Sequence, residues 1–277
     1  MPLQLLQCMP PSKNVWVGFS GGLDSTALLH TLKNQSHNNF QLHAIHVHHG
    51  LQDKADEWAL HCQSICQLWQ IPLKIVQVHI TDKSRNTEHK ARDARYKAFQ
   101  EILATGDTLA LAHHQDDVAE TLLLRLLRGS GTRALANMQV ISQRDQYQLW
   151  RPLLQNTRAE LEQYAEQNNL SWINDDSNSD TGFDRNFIRH EILPRLEQRF
   201  PNAKQGLAQS AELLAIDAEI LKPQIESHLL QCSIGNELQL SQFLQLNAGM
   251  QAHVLRAWLV QAGKATPTAR AMTEFLK

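Results

Sequence analysis

Over the first 112 residues, short apolar runs alternate with helical patterns. Val15–Phe19, Leu42–Val47, Leu73–Val78 and Thr108–Ala112 read as strands, and Ser25–Leu32, Ala55–Trp69 and Glu88–Leu103 as the helices between them. Such alternation predicts right-handed crossovers and a parallel sheet covered on both faces. The expected class is therefore α/β: a doubly wound, mainly parallel sheet. A further helix is expected from Gln115 to the cap at Gly129. Another starts at Thr157, where Thr-Arg-Ala-Glu forms a capping box, and runs to Asn168. The polar run Asn174–Asp184 predicts an exposed loop ahead of a helix starting at Asn186. Beyond Phe200-Pro-Asn the pattern is helical at Ala203–Leu229 and Met250–Gln261. This places a domain break at 200, with a larger α/β domain over 1–200 and a smaller helical domain over 201–277.

Composition narrows this picture. A chain of 277 residues with 42% hydrophobic content buries a sizeable core. Its 26 basic and 28 acidic side chains give a net charge of −2, so any affinity for nucleic acid must come from local patches. Cysteines at 8, 62, 66 and 232 form neither a C-x-x-C pair nor a zinc-like double pair. The expected setting is a reducing cytoplasm. The amino terminus lacks the basic and apolar regions of a secretory signal, and no run approaches a membrane span.

The most specific chemistry lies where the first strand meets its helix, at Ser20-Gly21-Gly22-Leu23-Asp24-Ser25. With each residue type near 7% usage, this pattern arises by chance on the order of once in a million positions. Glycines at 21 and 22 let backbone amides wrap an anion, and the helix N-terminus behind them adds positive potential. Ser20 and Ser25 bring hydroxyls for phosphate oxygens. A carboxylate does not bind phosphate directly, so Asp24 is the candidate Mg²⁺ ligand. A plain Gly-Gly turn with an Asp/Ser helix cap is the structural alternative. Neither the kinase-type phosphate loop nor the dinucleotide glycine pattern is present.

His113, His114, Asp116, Asp117 and Glu120 follow the fourth strand, at the sheet edge where doubly wound folds bind ligands. Carboxylates three and four apart share a helix face, which suits a cation such as an ammonium group or Mg²⁺; ordinary N-terminal helix stabilisation is the alternative. His46, His48 and His49 with His113 and His114 resemble a zinc set only superficially, because successive strand residues point to opposite faces and no cysteine joins them. Neutral imidazoles there would orient a base or a phosphate. Arg92 and Arg95 on one helix, and Arg185, Asn186 and Arg189 after the polar loop, are candidates for nucleic-acid phosphates, a solvated charged face being the alternative.

FSGGLDSTALLH (19–30), HVHHGL (46–51), ARDARY (91–96), AHHQDDVAETLLLRLLRGSG (112–131), RPLL (151–154), TRAEL (157–161) and DDSN with DRNFIRHEILP (175–194) run in order through residues 15–200. Together they resemble the PP-loop ATP pyrophosphatases, and within them the branch that modifies a tRNA anticodon with lysine. The resemblance implies ATP and Mg²⁺ as cofactors, with the Ser20–Ser25 loop as ATP site. It implies a tRNA(Ile) with a CAU anticodon and L-lysine as partners. ATP would adenylate the C2 oxygen of the wobble cytidine and release pyrophosphate; the lysine amine would then displace AMP. By the same resemblance, Asp117 and Glu120 hold the amine, Asp116 sits nearer the metal, and His114 and Arg185 join Asp24 in catalysis. A homodimer without membrane association, and further C-terminal structure after Lys277, are also expected. Two other readings stay open: a PP-loop tRNA thiolase, and a catalytically idle tRNA-binding module.

Overall fold

The computed structural model describes residues 3, 9–35, 40–48, 50, 54–78, 87–136, 138–175, 180–267 and 269–275. Cys8, His49 and the middle of the polar run, residues 176–179, lie outside them. The chain forms two compact units, residues 1–118 with 139–182 and residues 119–138 with 183–277.

The first unit holds the sheet. Its elements are β1 (Asn14–Gly18), α1 (Leu23–Gln35), β2 (Gln41–His48), α2 (Ala55–Trp69), β3 (Leu73–Gln77), α3 (Thr87–Ile102) and β4 (Thr108–Ala110). After α4 (Gln115–Leu127) and the short α5 (Thr132–Leu135), which belong mostly to the second unit, the first unit resumes with β5 (Ile141–Arg144), β6 (Tyr147–Trp150) and α6 (Arg158–Gln167). Strand order is β3-β2-β1-β4-β6-β5, parallel throughout except for the edge strand β5.

Alternation along the strands explains why both faces are covered. Val15, Val17, Phe19, Ala44, Ala110 and Trp150 pack in one core with Leu28, Leu29 and Leu32 of α1, Cys62 and Ile65 of α2 and Leu161 of α6. Ile45, Leu109, Tyr147 and Leu149 point the other way, into a second core with Phe99 and Leu103. The doubly wound sheet read from the sequence is the observed one. The β5–β6 hairpin, by contrast, extends it where no strand is expected.

The second unit contains most of α4, then α5, α7 (Asp184–Phe187), a π-helical turn at Ile188–Ile192, α8 (Leu193–Arg199) and the long α9 (Ala203–Cys232). A two-stranded ribbon, β7 (Ser233–Ile234) with β8 (Glu237–Leu238), leads to α10 (Leu240–Phe243), α11 (Ala248–Gln261) and α12 (Ala269–Phe275). Residues 119–138 and 183–200 group here rather than with the sheet, unlike the break expected at 200. The reason is a shared cluster in which Ala119, Ile188 and Leu193 pack with Leu207 of α9. Among the described residues no helix is long and apolar enough to cross a membrane.

Candidate active site

The chain leaves β1 toward β2 on one side, while β4 lies on the other, so the sheet reverses direction of growth between β1 and β4. The turns after these two strands therefore sit side by side at the crevice where such sheets bind ligands. The first turn carries Ser20–Ser25 and the second His113–Asp117.

Gly21 adopts φ +83°, a region closed to most side chains. A Cβ placed there would come within 2.7 Å of Ile173 Cδ1 and 2.9 Å of Cys62 Sγ. The Ile173 N–H donates to the Gly21 carbonyl at 2.9 Å, and Gly22 forms a parallel bridge with Ile173. The serine hydroxyls hold the turn together: Ser25 Oγ donates to the Gly22 carbonyl at 3.1 Å and accepts the Ser20 N–H at 3.2 Å. Ser20 Oγ lies 3.0 Å from Ser25 Oγ and accepts from the Gly22 N–H at 3.3 Å. The first bond of α1 runs from the Thr26 N–H to the Gly22 carbonyl. Leu23, Asp24 and Ser25 thus occupy the first turn, whose amides a helix leaves to outside acceptors. This cradle fits a polyphosphate.

His114 is the centre of the second turn. It is almost fully buried, and both ring nitrogens lack a hydrogen-bond partner among the described residues. Carboxylates surround it instead. Asp24 Oδ2 and Asp117 Oδ2 lie 3.7 and 3.6 Å from Nε2, and Asp116 Oδ1 lies 3.6 Å from Nδ1. Burial is the largest influence on the ring and disfavours its charged form, but Asp117, Asp116 and Asp24 together outweigh it and raise the pKa. Arg158 Nη1 lies 3.4 Å from Asp24 Oδ2, and the Arg158 N–H donates to Asp116 Oδ1 at 3.0 Å. Asp117 Oδ2 accepts the His114 N–H at 3.0 Å, closing the start of α4.

Three carboxylates thus face one guanidinium and one imidazole. Carboxylates gathered in this number at the mouth of a sheet suit a cation. Among the described residues no three His, Cys, Asp or Glu side chains are placed to hold a metal. Mg²⁺ does not need such a cage, since it binds through one or two carboxylates with substrate phosphates and waters. Asp24, beside the phosphate turn, fits that mode. Asp116 is turned to the α6 N-terminus.

Glu120, expected with Asp117 to hold the amine, is engaged by two arginines of its own unit. Fully buried in the second unit, it accepts from Arg185 Nε at 2.7 Å through Oε2 and from Arg189 Nε at 2.6 Å through Oε1. Arg189 Nη2 adds a third bond, at 3.0 Å to Oε2. Asn186 stands between the two arginines on the chain.

Arg92 and Arg95 lie on α3. The Arg92 guanidinium sits over the Tyr96 ring at 5.4 Å and Arg144 of β5 does so at the same distance. His46 donates from Nδ1 to the Phe19 carbonyl at 2.9 Å and is held neutral, its pKa lowered by burial. His48 Nε2 pairs with Asp56 at 3.0 Å. These two imidazoles support the turn and α2. Cys62 and Cys66 are buried, with thiols pushed up to about 12 mainly by desolvation.

Arg158, Ile173 and Cys62 are the contributors that the sequence did not single out. Arg158 lies in the capping-box segment, where a charged residue at the first helical position reads as solvated. Ile173 and Cys62 reach Gly21 only through tertiary contact.

A PP-loop domain family profile matches residues 3–196, more than half of the chain. The tRNA(Ile)-lysidine synthase of Shigella flexneri is 42% identical over 96% of this chain and 62% of its own length. Its counterpart in Chromobacterium violaceum is 43% identical over 94% of this chain and 60% of its own. The chain thus spans about three fifths of the curated relatives it matches. Among solved structures, the U34-tRNA thiolase NcsA from Methanococcus maripaludis with its [4Fe-4S] cluster superposes with a TM-score of 0.61, at 21% identity over 76% of each chain. That likeness speaks for the fold alone. With the Ser-Gly-Gly-x-Asp-Ser turn at the switch point of a mainly parallel sheet, and with that family matched from residue 3 to residue 196, the chain belongs to the PP-loop family.

Proposed function

We propose that this chain is a cytoplasmic ligase that uses ATP and Mg²⁺ to join L-lysine to C2 of the wobble cytidine of a tRNA(Ile) with a CAU anticodon. The observation that carries this reading is the adjacency of two turns: the anion cradle Ser20–Ser25 after β1, and the carboxylate-ringed His114 after β4. The names of the relatives supply the substrate class.

In the first step the C2 oxygen of cytidine attacks the α-phosphorus of ATP and pyrophosphate leaves. The glycine-opened turn and the α1 N-terminus bind and orient the triphosphate. Asp24 would hold Mg²⁺, which when bound would neutralise charge on the leaving pyrophosphate. In the second step the lysine amine attacks C2, AMP leaves, and a proton passes from nitrogen to a carboxylate. Asp117 is the acceptor assigned here. The carboxylates around His114 suit an incoming ammonium, whereas Glu120 is engaged by Arg185 and Arg189. Those arginines, with Asn186, Arg92 and Arg95, are assigned to tRNA contact, and residues 201–277 to the same task.

The test combines labelled lysine, ATP and total bacterial tRNA. Label is expected in an isoleucine tRNA, and pyrophosphate release from ATP and that tRNA is expected without lysine. Asp24→Ala should abolish the release. Undiminished release in that variant refutes the assignment of the turn. An oxygen-to-sulfur exchange in the product, read by mass spectrometry, would instead identify a thiolase; the buried, high-pKa Cys62 and Cys66 speak against that outcome.

A further inference from the structure

Within the first unit, α3 and the β5–β6 hairpin meet around Tyr96. Gln146 of the hairpin turn donates from Nε2 to the Gln100 and Leu103 carbonyls at 2.6 and 2.5 Å. Gln100 Nε2 donates back to Asp145 Oδ2 at 2.8 Å. These bonds pin the hairpin to the C-terminal half of α3 and leave a cleft of about 240 Å³ lined by Tyr96, Lys97, Arg144 and Tyr147, with Asp93 and Asp145 at its sides.

Three arginines converge on the tyrosine. The guanidiniums of Arg92 and Arg144 each sit 5.4 Å from the centre of its ring, and its hydroxyl lies beside Arg151. Arg151, which follows β6, is only 3% exposed. Its Nη1 donates to the Gln139 carbonyl at 2.8 Å, but its Nε has no partner among the described residues. Arg92 and Arg144 are exposed, and among the described residues neither forms an ion pair. An aromatic face attracts a cation without neutralising it, so these charges stay available. With Lys97, four cations stand against Asp93 and Asp145, in a chain whose net charge is −2. Burial, with Arg144 and Arg92 nearby, lowers the Arg151 pKa against the favourable pull of Tyr96, so an added negative charge relieves the cluster.

The missing counter-charge is an oxyanion, and the guanidinium fork matches phosphate oxygens. The setting decides which phosphate. Arg92 and Arg144 lie open to solvent, without a ring of backbone amides like the one after β1. Such a surface suits a phosphate of a polymer that is held at other points as well.

We propose that Arg92, Arg144 and Arg151, gathered at Tyr96, form a binding site for one backbone phosphate of the RNA substrate. This assignment rests on the reading of the chain as a tRNA-modifying enzyme; it brings in Arg144, Arg151 and the hairpin, and commits the cations to a single phosphate. Its test is the affinity of the full chain for a tRNA(Ile) transcript with a CAU anticodon, read by fluorescence anisotropy between about 50 and 200 mM salt. Arg92→Gln with Arg144→Gln should flatten the dependence of log affinity on log salt by about 0.7–0.9, the value of one phosphate. Arg92→Lys with Arg144→Lys should keep the wild-type slope, because the slope counts charges. An unchanged slope in the glutamine variant, with lysine labelling by the wild type intact, overturns the site and leaves the tRNA reading in place. A fall of twice that size overturns the sharing of one phosphate, and a flattened slope in the lysine variant overturns the role of charge. Pyrophosphate titrated into both proteins by calorimetry separates a small-anion site: heat lost in the glutamine variant, with its RNA affinity intact, overturns the RNA assignment. No transcript binding and no lysine labelling by the wild-type chain overturns the site and the tRNA reading together.

Discussion

The turn after β1 allows almost no change at Gly21. A methyl group there meets Ile173 and Cys62 and must also adopt a positive φ, so Gly21→Ala should cost about 1–3 kcal/mol of stability. Chemical denaturation checks this, and ATP-dependent pyrophosphate release should fall with it. Asp117→Ala should leave pyrophosphate release largely intact yet block lysine transfer. Equal loss of both steps in a quench assay would remove Asp117 from the amine role. The need for glycine at 21 was legible from the six-residue pattern alone. The partners of Glu120 were not, because Arg185 and Arg189 arrive from 65 and 69 residues away and no local spacing encodes such a meeting. Asp116, read as nearer the metal, accepts the backbone N–H of Arg158 across 42 residues for the same reason.

Helix boundaries followed from caps wherever the cap is local. Thr157 accepts the Glu160 N–H at 3.2 Å and the Glu160 carboxylate accepts the Thr157 N–H at 2.7 Å, as the four-residue pattern predicts. Thr157→Ala should therefore cost about 1 kcal/mol, seen as a lower denaturation midpoint at unchanged slope. The same residue change should disturb the site, because this capping box sets the turn that delivers the Arg158 N–H to Asp116. Gly129, at φ +67°, ends α4 as its position after Leu126-Leu127-Arg128 suggests. The β5–β6 hairpin was hidden because Ile141–Trp150 is interleaved with Gln, Arg and Asp, and its turn places Asp145 at positive φ without the usual glycine. Its inward residues declare themselves only when Trp150 and Leu149 are seen filling opposite faces of the sheet.

Across the whole molecule the doubly wound core was readable because four strands and three helices keep strict period and order. The grouping of residues 119–138 and 183–200 with α9 was not, since it depends on which apolar faces meet. Titration is another property of the whole. His30, His43, His46, His61 and His253 have pKa values lowered from 6.5, chiefly by burial. An unfolded chain therefore takes up protons at these sites before the native one does. Their contribution is full above about pH 6.5 and is lost as pH falls through the native values. His114, raised by its carboxylates, contributes in the opposite sense: its share is present below 6.5 and lost as pH rises through its native value. With five sites against one, the melting temperature should fall between about pH 7.5 and 5.5, by calorimetry in a fixed salt. One hydrogen bond described above reaches further. Because the amide of Ile173 closes on the carbonyl of Gly21, its proton exchanges with solvent only when that bridge opens. Any nucleotide that stills the glycines also slows deuterium uptake at residue 173, so a single peptide from the middle of the chain reports occupancy of a turn more than 150 residues upstream in sequence.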